Sequence, residues 1–273
     1  MRSINAHSGT QNVCDWLANS CQPRILHVFE HACNLINERR EVLSVVAPQI
    51  GAGPFNLLLE EDICFSNSLR LESPVSVSAH QLTLGDLTIQ TGQAKCWSPR
   101  PDWERLQIRR TEILNPLPSL PISITQPLLP HSLLSNLSSA LVTEDISSTQ
   151  KITSQLAGLG AGLTPAGDDF LLGSMYAAWI IHPPEVAKIL AEGIANIAAP
   201  LTTSLSAAWL RAGSRGEAGA VWHEFFEALI AADSAQTQNA LEKILAVGET
   251  SGADALSGFL GTFAATTTPQ IPP

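Results

Sequence analysis

The chain has 273 residues, enough for one large domain or two ordinary ones with a buried core. Apolar residues make up 45% of it, which excludes general disorder. The formal net charge of -10 argues against nucleic acid as the main partner, because phosphate contacts need clustered lysine and arginine.

The N-terminus, MRSINAHSGTQNVCDW, lacks the apolar core of a signal peptide, and no apolar stretch is long enough to span a bilayer. The five cysteines are odd in number and show no C-x-x-C pairing. These features predict reduced thiols, a cytoplasmic location and no membrane partner.

Short β-prone runs characterise the N-terminal part of the chain. They are RILHVF at 24–29, EVLSVVA at 41–47 and an apolar run at 55–59. The clearest signal is LTLGDLTIQ at 82–90, where two alternating apolar runs flank the dipeptide Gly85-Asp86, as in a hairpin. Short strands at this spacing predict a small antiparallel β-barrel or sandwich over residues 1–114.

Residues 115–130 contain five prolines, a density that neither a helix nor a central strand tolerates, so they predict a linker. After the linker, apolar residues recur every three or four positions, which predicts a compact helical domain over 131–273. The predicted helices are 133–142, 169–181, 185–198, 203–212, 217–232, 235–247 and 252–263. The predicted fold class is therefore α+β, with the β-rich domain first and the helical domain second.

One stretch of the helical domain, GLGAGLTPAGDD at 158–169, is unlike ordinary helix or strand. Thr164 before Pro165 predicts a helix N-cap followed by proline, with two aspartates in the first turn where the helix dipole favours them. The cap does not explain three alternating glycines, which let a backbone approach a ligand or another chain closely. The spacing fits neither G-x-G-x-x-G nor the Walker loop, so anion binding by exposed N–H groups is the functional interpretation that stays open.

The pattern G-x-D-x-L-x-G occurs twice, at 167–173 and at 252–258. In each copy the aspartate and the second glycine share a helix face, and that glycine permits close helix packing. We expect the two helix starts to face one pocket lined by Asp169 and Asp254. The alternative is a pair of decorated caps in a tight helix crossing.

Two carboxylates at helix starts can hold Mg²⁺ with waters, act as a general base or bind an amide. The helix dipole is expected to keep them ionised, which makes them weak bases and favours the metal or the amide. Cations are scarce in this half of the chain. Arg211 and Arg215 follow a hydroxyl-rich helix start at 202–204 and either balance a helix C-terminus or reach a carboxylate or phosphate.

These segments resemble the signature of a bacterial family long filed as a domain of unknown function, G-x-G-x-G-L-T-P-[SA]-G-D-D. The signature is GLGAGLTPAGDDFLLG here, and TTSLSAAWLRAGSRGE at 202–217 and ETSGADALSGFLG at 249–261 match in order. The chain is thus similar to the AllH-like subunit of oxamate carbamoyltransferase. The resemblance is specific in the C-terminal half and loose over the rest.

The resemblance implies a reversible reaction of anaerobic allantoin degradation, in which oxalurate and phosphate give oxamate and carbamoyl phosphate. It implies small anionic substrates and two partners, an FdrA-like (AllF) subunit and an AllG-like subunit, with activity only in their presence. The sequence requires no cofactor, although Mg²⁺ is compatible with the aspartates. The alternatives are a non-catalytic scaffolding or regulatory subunit and a stand-alone Mg²⁺-dependent hydrolase.

The candidate site residues follow from these motifs, and no metal-ligand set is assigned. The candidate catalytic residues are Asp168, Asp169 and Asp254. The residues expected to bind substrate or anion are Gly160, Gly162, Thr164, Gly167, Arg211, Arg215, Ser251 and Gly252. Familiar carbamoyltransferases use an S-T-R-T-R phosphate loop, which this sequence lacks, so catalysis here would use an unrelated arrangement.

Overall fold

The computed structural model describes residues 2–78, 80–114 and 129–267. The described residues form two compact units, one reaching to Pro99 with Ala218–Ala220 added, and the other made of the remainder. The predicted linker at 115–130 lies outside the described residues except for its last two positions. The linker and the domain boundaries built on it therefore stay predictions.

The first unit is a nearly closed, barrel-like sheet, which confirms the predicted β-rich N-terminal fold. Its strands are β1 Arg2–Gly9, β2 Arg24–Val28, β3 Ala32–Ile36, β4 Val42–Val46, β5 Asn56–Leu59, β6 Val75–Ser78, β7 Gln81–Leu84, β8 Leu87–Gln90 and β9 Lys95–Cys96. The strand order is β2-β3-β4-β5-β1-β8-β7-β6, and β9 pairs with β1. Neighbouring strands are antiparallel except in the pairs β1–β8, β1–β9 and β4–β5, which are parallel.

The hairpin predicted at 82–90 is confirmed as β7 and β8, which pair through Leu84 and Leu87. Gly85 makes the turn with a φ of 56°, a left-handed conformation that glycine adopts without steric cost. Leu82 and Ile89 face each other across the strands and are buried. The alternation seen in the sequence therefore places apolar side chains in the core of this unit.

One helix of the first unit, α1 (Gln11–Asn19), is missing from the sequence prediction. Thr10 caps it, because its hydroxyl accepts the N–H of Val13. Only Val13 and Trp16 are buried along its length, so the apolar stripe is too short to be recognised by periodicity.

The second unit is helical, as predicted. Its helices are α2 Trp103–Ile108, α3 Arg110–Leu114, α4 His131–Val142, α5 Ile146–Leu156, α6 Ala166–Ile181, α7 Pro184–Ala198, α8 Ser204–Ser214, α9 Ala220–Ala231, α10 Ser234–Leu245 and α11 Ser251–Thr267. All seven predicted helices are present, with small shifts at their ends. The sequence missed the short α2 and α3 and the polar α5, where two of the four buried residues are threonines.

Helix α6 lies at the centre of this unit, since every residue from Gly167 to Ile180 is buried. Its most extensive contacts are with α11. Aromatic side chains of α2, α6, α9 and α11 pack around the same region, among them Trp103, Tyr176, Trp222 and Phe259. None of the described helices is long and apolar enough to cross a membrane.

Candidate functional site

The two glycine–aspartate motifs meet where α6 crosses α11. A Cβ atom on Gly173 would lie 1.7 Å from the carbonyl oxygen of Ala255, and one on Gly258 would lie 2.1 Å from that of Phe170. Neither position can carry a side chain unless a backbone moves. The prediction that the second glycine of each motif permits close helix packing is therefore confirmed.

The first glycine of each motif is also a site of close backbone approach. A Cβ atom on Gly167 would lie 2.0 Å from the carbonyl oxygen of Leu156, at the end of α5. One on Gly252 would lie 1.8 Å from the carbonyl oxygen of Ile244, in the last turn of α10. Each glycine thus lets the preceding helix end directly against the start of the next.

The start of α6 differs from the predicted cap. Thr164 is not the N-cap; that position belongs to Pro165, whose carbonyl accepts the N–H groups of Asp168 and Asp169 at 2.9 and 3.1 Å. The Thr164 hydroxyl instead lies 2.7 Å from the Ser251 hydroxyl at the start of α11. A hydrogen bond between the two helix starts thus replaces the local cap. Local sequence rules cannot predict such a long-range contact.

Asp168 is buried and fully occupied by hydrogen bonds. One carboxylate oxygen accepts the N–H of Gly158 at 2.8 Å, and the other accepts the hydroxyls of Ser206, at 2.7 Å, and of Thr202. These donors belong to the glycine loop, defined here as residues 158–164, and to the start of α8. Asp168 therefore fixes the position of the loop.

Asp169, the next residue, is in a different situation. It is 6% exposed, and its Oδ2 atom has no hydrogen-bond partner. Its pKa is raised to about 8, chiefly by burial and also by the charges of Asp254 and Asp168, while the hydroxyls of Ser251 and Thr164 oppose the shift. The expectation that the helix dipole keeps this group ionised is wrong, because desolvation outweighs it.

Asp254 repeats these features on α11. It is 3% exposed, its Oδ2 atom also lacks a partner, and burial raises its pKa against the opposing effect of the Thr250 hydroxyl. One helical turn further on, the buried Ser257 hydroxyl has no partner either. Buried polar atoms are normally hydrogen-bonded, so these unpartnered atoms are available to bind a polar group.

Asp169 and Asp254 form what we call the carboxyl pair. The charge of Asp254 raises the pKa of Asp169, since two buried carboxyl groups that repel each other do not both ionise readily. A pair with one group protonated offers one O–H donor and several acceptor oxygens. No group of three or more His, Cys, Asp or Glu side chains suited to a metal ion occurs among the described residues.

The glycine loop is exposed from Leu159 to Gly162. Gly158, Gly160 and Gly162 have φ values of 70°, 123° and 92°, all in the left-handed region. Within the part of the chain that the structure describes, the N–H groups from Gly160 to Gly162 make no hydrogen bond. Successive free N–H groups of this kind can bind an anion.

The two candidate arginines lie at the C-terminal end of α8. Arg211 is exposed in the last turn of α8. Arg215 forms a bidentate ion pair with Glu217, at 2.9 and 2.7 Å. The sequence prediction placed Thr203 in a hydroxyl-rich helix start but not among the candidate site residues. Thr203 caps α8 and donates its hydroxyl to the carbonyl of Leu163 at 2.5 Å.

Two family models match the chain. One, described as oxamate carbamoyltransferase subunit AllH, covers residues 156–263 and so includes the glycine loop and both glycine–aspartate motifs. The other, described as the AllH family N-terminal domain, covers residues 5–96, the barrel-like sheet. No solved structure matches the chain.

Proposed function

The chain belongs to the AllH family of oxamate carbamoyltransferase subunits, and we propose that it takes part in the reversible transfer in which oxalurate and phosphate give oxamate and carbamoyl phosphate. The setting we propose is anaerobic allantoin degradation in the cytoplasm. The two matched segments together span most of the chain, so the family assignment applies to both units.

The observation that carries this proposal is the carboxyl pair, which the hydroxyl of Thr164 connects to the glycine loop. The reactants are small and bear either amide or anionic groups. The unpartnered oxygens of Asp169 and Asp254 can take the hydrogen bonds of an amide, and the free N–H groups of Gly160 to Gly162 can take an anion. Both features lie inside the segment matched by the AllH model.

A subunit works with other chains, and we propose FdrA-like (AllF) and AllG-like subunits as the partners. The charge distribution supports a site completed by another chain. Phosphate and oxamate are anions, whereas Arg215 is already paired with Glu217 and four other lysine or arginine residues occur at 131–273. A partner that supplies arginine or lysine would provide the missing positive charge.

The test is a carbamoyl-transfer assay with oxalurate and phosphate, using the chain alone and with both partners. We expect turnover only in the complex. The double substitution Asp169→Asn and Asp254→Asn should lower kcat by ~100-fold or more while the complex still assembles, since each side chain keeps its shape. Full turnover of this double variant would show that the carboxyl pair is not part of the active site.

A non-catalytic scaffolding role is the second candidate, and the glycine contacts favour it. Gly167, Gly173, Gly252 and Gly258 all serve close backbone packing, and Asp168 is fully used in fixing the loop. In this role, substitution of the carboxyl pair weakens assembly with the partners and leaves the rate at saturating substrate unchanged. Measuring complex stability beside kcat separates the two functions.

A further inference from the structure

Two connections between helices of the helical unit are similar in sequence, the one from α4 to α5 and the one from α9 to α10. ALVTEDISSTQ at 140–150 aligns without gaps with ALIAADSAQTQ at 228–238. The two aligned segments hold the same connection between two helices. Both include a buried threonine one turn into the second helix, Thr149 in one copy and Thr237 in the other.

The backbone follows the same path in both connections. Glu144 and Ala232 occupy aligned positions and both adopt the left-handed region, with φ values of 58° and 54°. Non-glycine residues rarely do so. The next residues, Asp145 and Asp233, both cap the following helix by accepting the N–H three residues further on, at 3.0 and 2.9 Å.

The equivalence continues to the motif helices. After α5 the N–H of Leu159 bonds to the carbonyl of Leu156, and after α10 the N–H of Val247 bonds to that of Ile244, both at 3.0 Å. The N–H of Gly167 then donates to the carbonyl of Leu159 at 2.8 Å. In the same way, the N–H of Gly252 donates to the carbonyl of Val247 at 3.0 Å. The loop between this turn and the motif is longer in the first copy, where it forms most of the glycine loop.

We infer that the helical unit is a tandem duplication, and that Asp169 and Asp254, equivalent in its two copies, act together to bind the primary amide group of the ligand. The identity of that ligand rests on the proposed function. The contacts at the helix crossing support the equivalence, because Gly173 packs on α11 as Gly258 packs on α6.

A primary amide can form the hydrogen bonds that the carboxyl pair does not make within the described chain. A neutral carboxyl group donates its O–H to the amide carbonyl, and an ionised one accepts the amide N–H. Those two hydrogen bonds would satisfy the unpartnered Oδ2 atoms of Asp169 and Asp254. Oxalurate and carbamoyl phosphate both end in the –CO–NH₂ group that is transferred, and oxamate ends in a primary amide. Each of them can therefore fit this subsite, one at a time.

Other ligand classes fit this pair less well. A carboxylate would place a further negative charge beside two buried acids, which is unfavourable. A divalent cation prefers several oxygen ligands, and the nearest further carboxylate, Asp168, already accepts three hydrogen bonds. Comparing the binding of oxamate with that of oxalate therefore tests the carboxyl pair, because oxalate has a carboxylate where oxamate has its amide.

The experiment is calorimetric titration of the complex with oxamate and with oxalate near pH 7. We expect oxamate to bind about tenfold more tightly or better, a difference typical of one charged or hydrogen-bonding mismatch. Each single variant, Asp169→Asn or Asp254→Asn, should keep that preference, because the equivalent positions can exchange the roles of donor and acceptor. The double Asn variant should lose it, since no negative charge remains to repel oxalate.

Asp145→Asn with Asp233→Asn is the matched control, since these residues are also equivalent in the two copies but cap helices, where Asn is as effective as Asp. The control should bind like the native chain. Three results overturn the inference: oxalate binding as tight as oxamate binding, a double Asn variant that keeps the native preference, or no binding of oxamate. Single Asn variants with unequal preferences overturn the equivalence.

The same measurements separate this inference from the proposed function. A complex that transfers carbamoyl groups but keeps its preference in the double Asn variant contradicts the amide subsite alone. A complex with no transfer activity, whose preference for oxamate depends on the carboxyl pair, contradicts the proposed reaction and leaves the subsite in place.

Discussion

Asp168 and Asp169 are adjacent in the chain, yet their carboxyl groups have different surroundings. Asp168 accepts hydrogen bonds from Gly158, Thr202 and Ser206, whereas one oxygen of Asp169 accepts none. The difference separates a residue that fixes the glycine loop from one that can bind a ligand. The sequence predicts that both lie at a helix start but not which has partners, because the donors to Asp168 come from another helix.

Removing the Asp168 carboxylate is expected to destabilise the helical unit. Asp168→Ala leaves a backbone N–H and two hydroxyl groups without their acceptor, at about 1–3 kcal/mol for each donor that stays buried. Urea unfolding followed by circular dichroism measures the loss. Asp145→Ala, which removes only an exposed cap, should cost about 1 kcal/mol. Equal losses for the two variants would contradict the role of Asp168 in fixing the glycine loop.

The raised pKa of Asp169 predicts a pH dependence of folding. Its value of about 8 in the folded chain exceeds the unfolded value of about 4, so the folded state binds the extra proton. This contribution to stability is fully present below pH ~4 and is lost as the pH rises towards ~8. Asp168, Asp254 and Tyr176 are the titratable groups whose charges interact with it.

Thermal unfolding between pH 5 and pH 8.5 checks this expectation. The native chain should lose stability across the range, and Asp169→Asn, which resembles the protonated form, should lose less. Asp86→Asn, in the exposed hairpin turn of the first unit, serves as the control. A native profile that Asp169→Asn leaves unchanged would show that Asp169 is not the group that titrates.

At the scale of elements, the crossing of α6 and α11 depends on glycine. Gly173→Ala or Gly258→Ala would put a methyl group within 1.7 or 2.1 Å of a carbonyl oxygen, so the helices must separate. We expect a loss of ~3 kcal/mol or more in the free energy of unfolding, at the upper end of overpacking effects.

Gly193→Ala provides the matched control for these variants. Gly193 lies within α7, and the nearest atom to a Cβ there is the Gln150 side-chain nitrogen at 3.7 Å. The substitution should therefore stabilise the protein by about 0.5–1 kcal/mol through helix propensity. Chemical denaturation measures the free energy of unfolding of the three variants. A Gly173→Ala protein as stable as the Gly193→Ala protein would contradict the tight helix crossing.

Periodicity predicts the helices with continuous apolar stripes and fails for α5, whose buried face includes Thr149 and Thr153. The internal repeat supplies the missing signal, because the α5 segment aligns with α10, which periodicity does find. The cap of α6 could not be predicted in this way. Its hydroxyl partner, Ser251, is remote in sequence, and only the folded chain brings the two together.

At the scale of the whole molecule, the net charge of -10 sets a limit on what one chain can do with anionic reactants. Its free N–H groups can orient an anion, but its 25 acidic side chains outnumber its 15 basic ones. The sequence alone indicates this imbalance, whereas the pairing of Arg215 with Glu217 becomes visible only in the structure. The proposed completion of the site by a partner would resolve the imbalance.

We expect the completion of the site by a partner to be measurable at the glycine loop. Its N–H groups from Gly160 to Gly162 are exposed and make no hydrogen bond within the described chain, so their hydrogen exchange should be fast in the isolated protein. Adding the partner subunits and substrate should slow exchange there by about tenfold or more, as these groups acquire acceptors. The exposed turn at 38–40 in the first unit is the internal control and should exchange equally in both states. Exchange in the loop that stays fast in an active, saturated complex would show that the anion binds elsewhere, and the loop would then serve only to join α5 to α6.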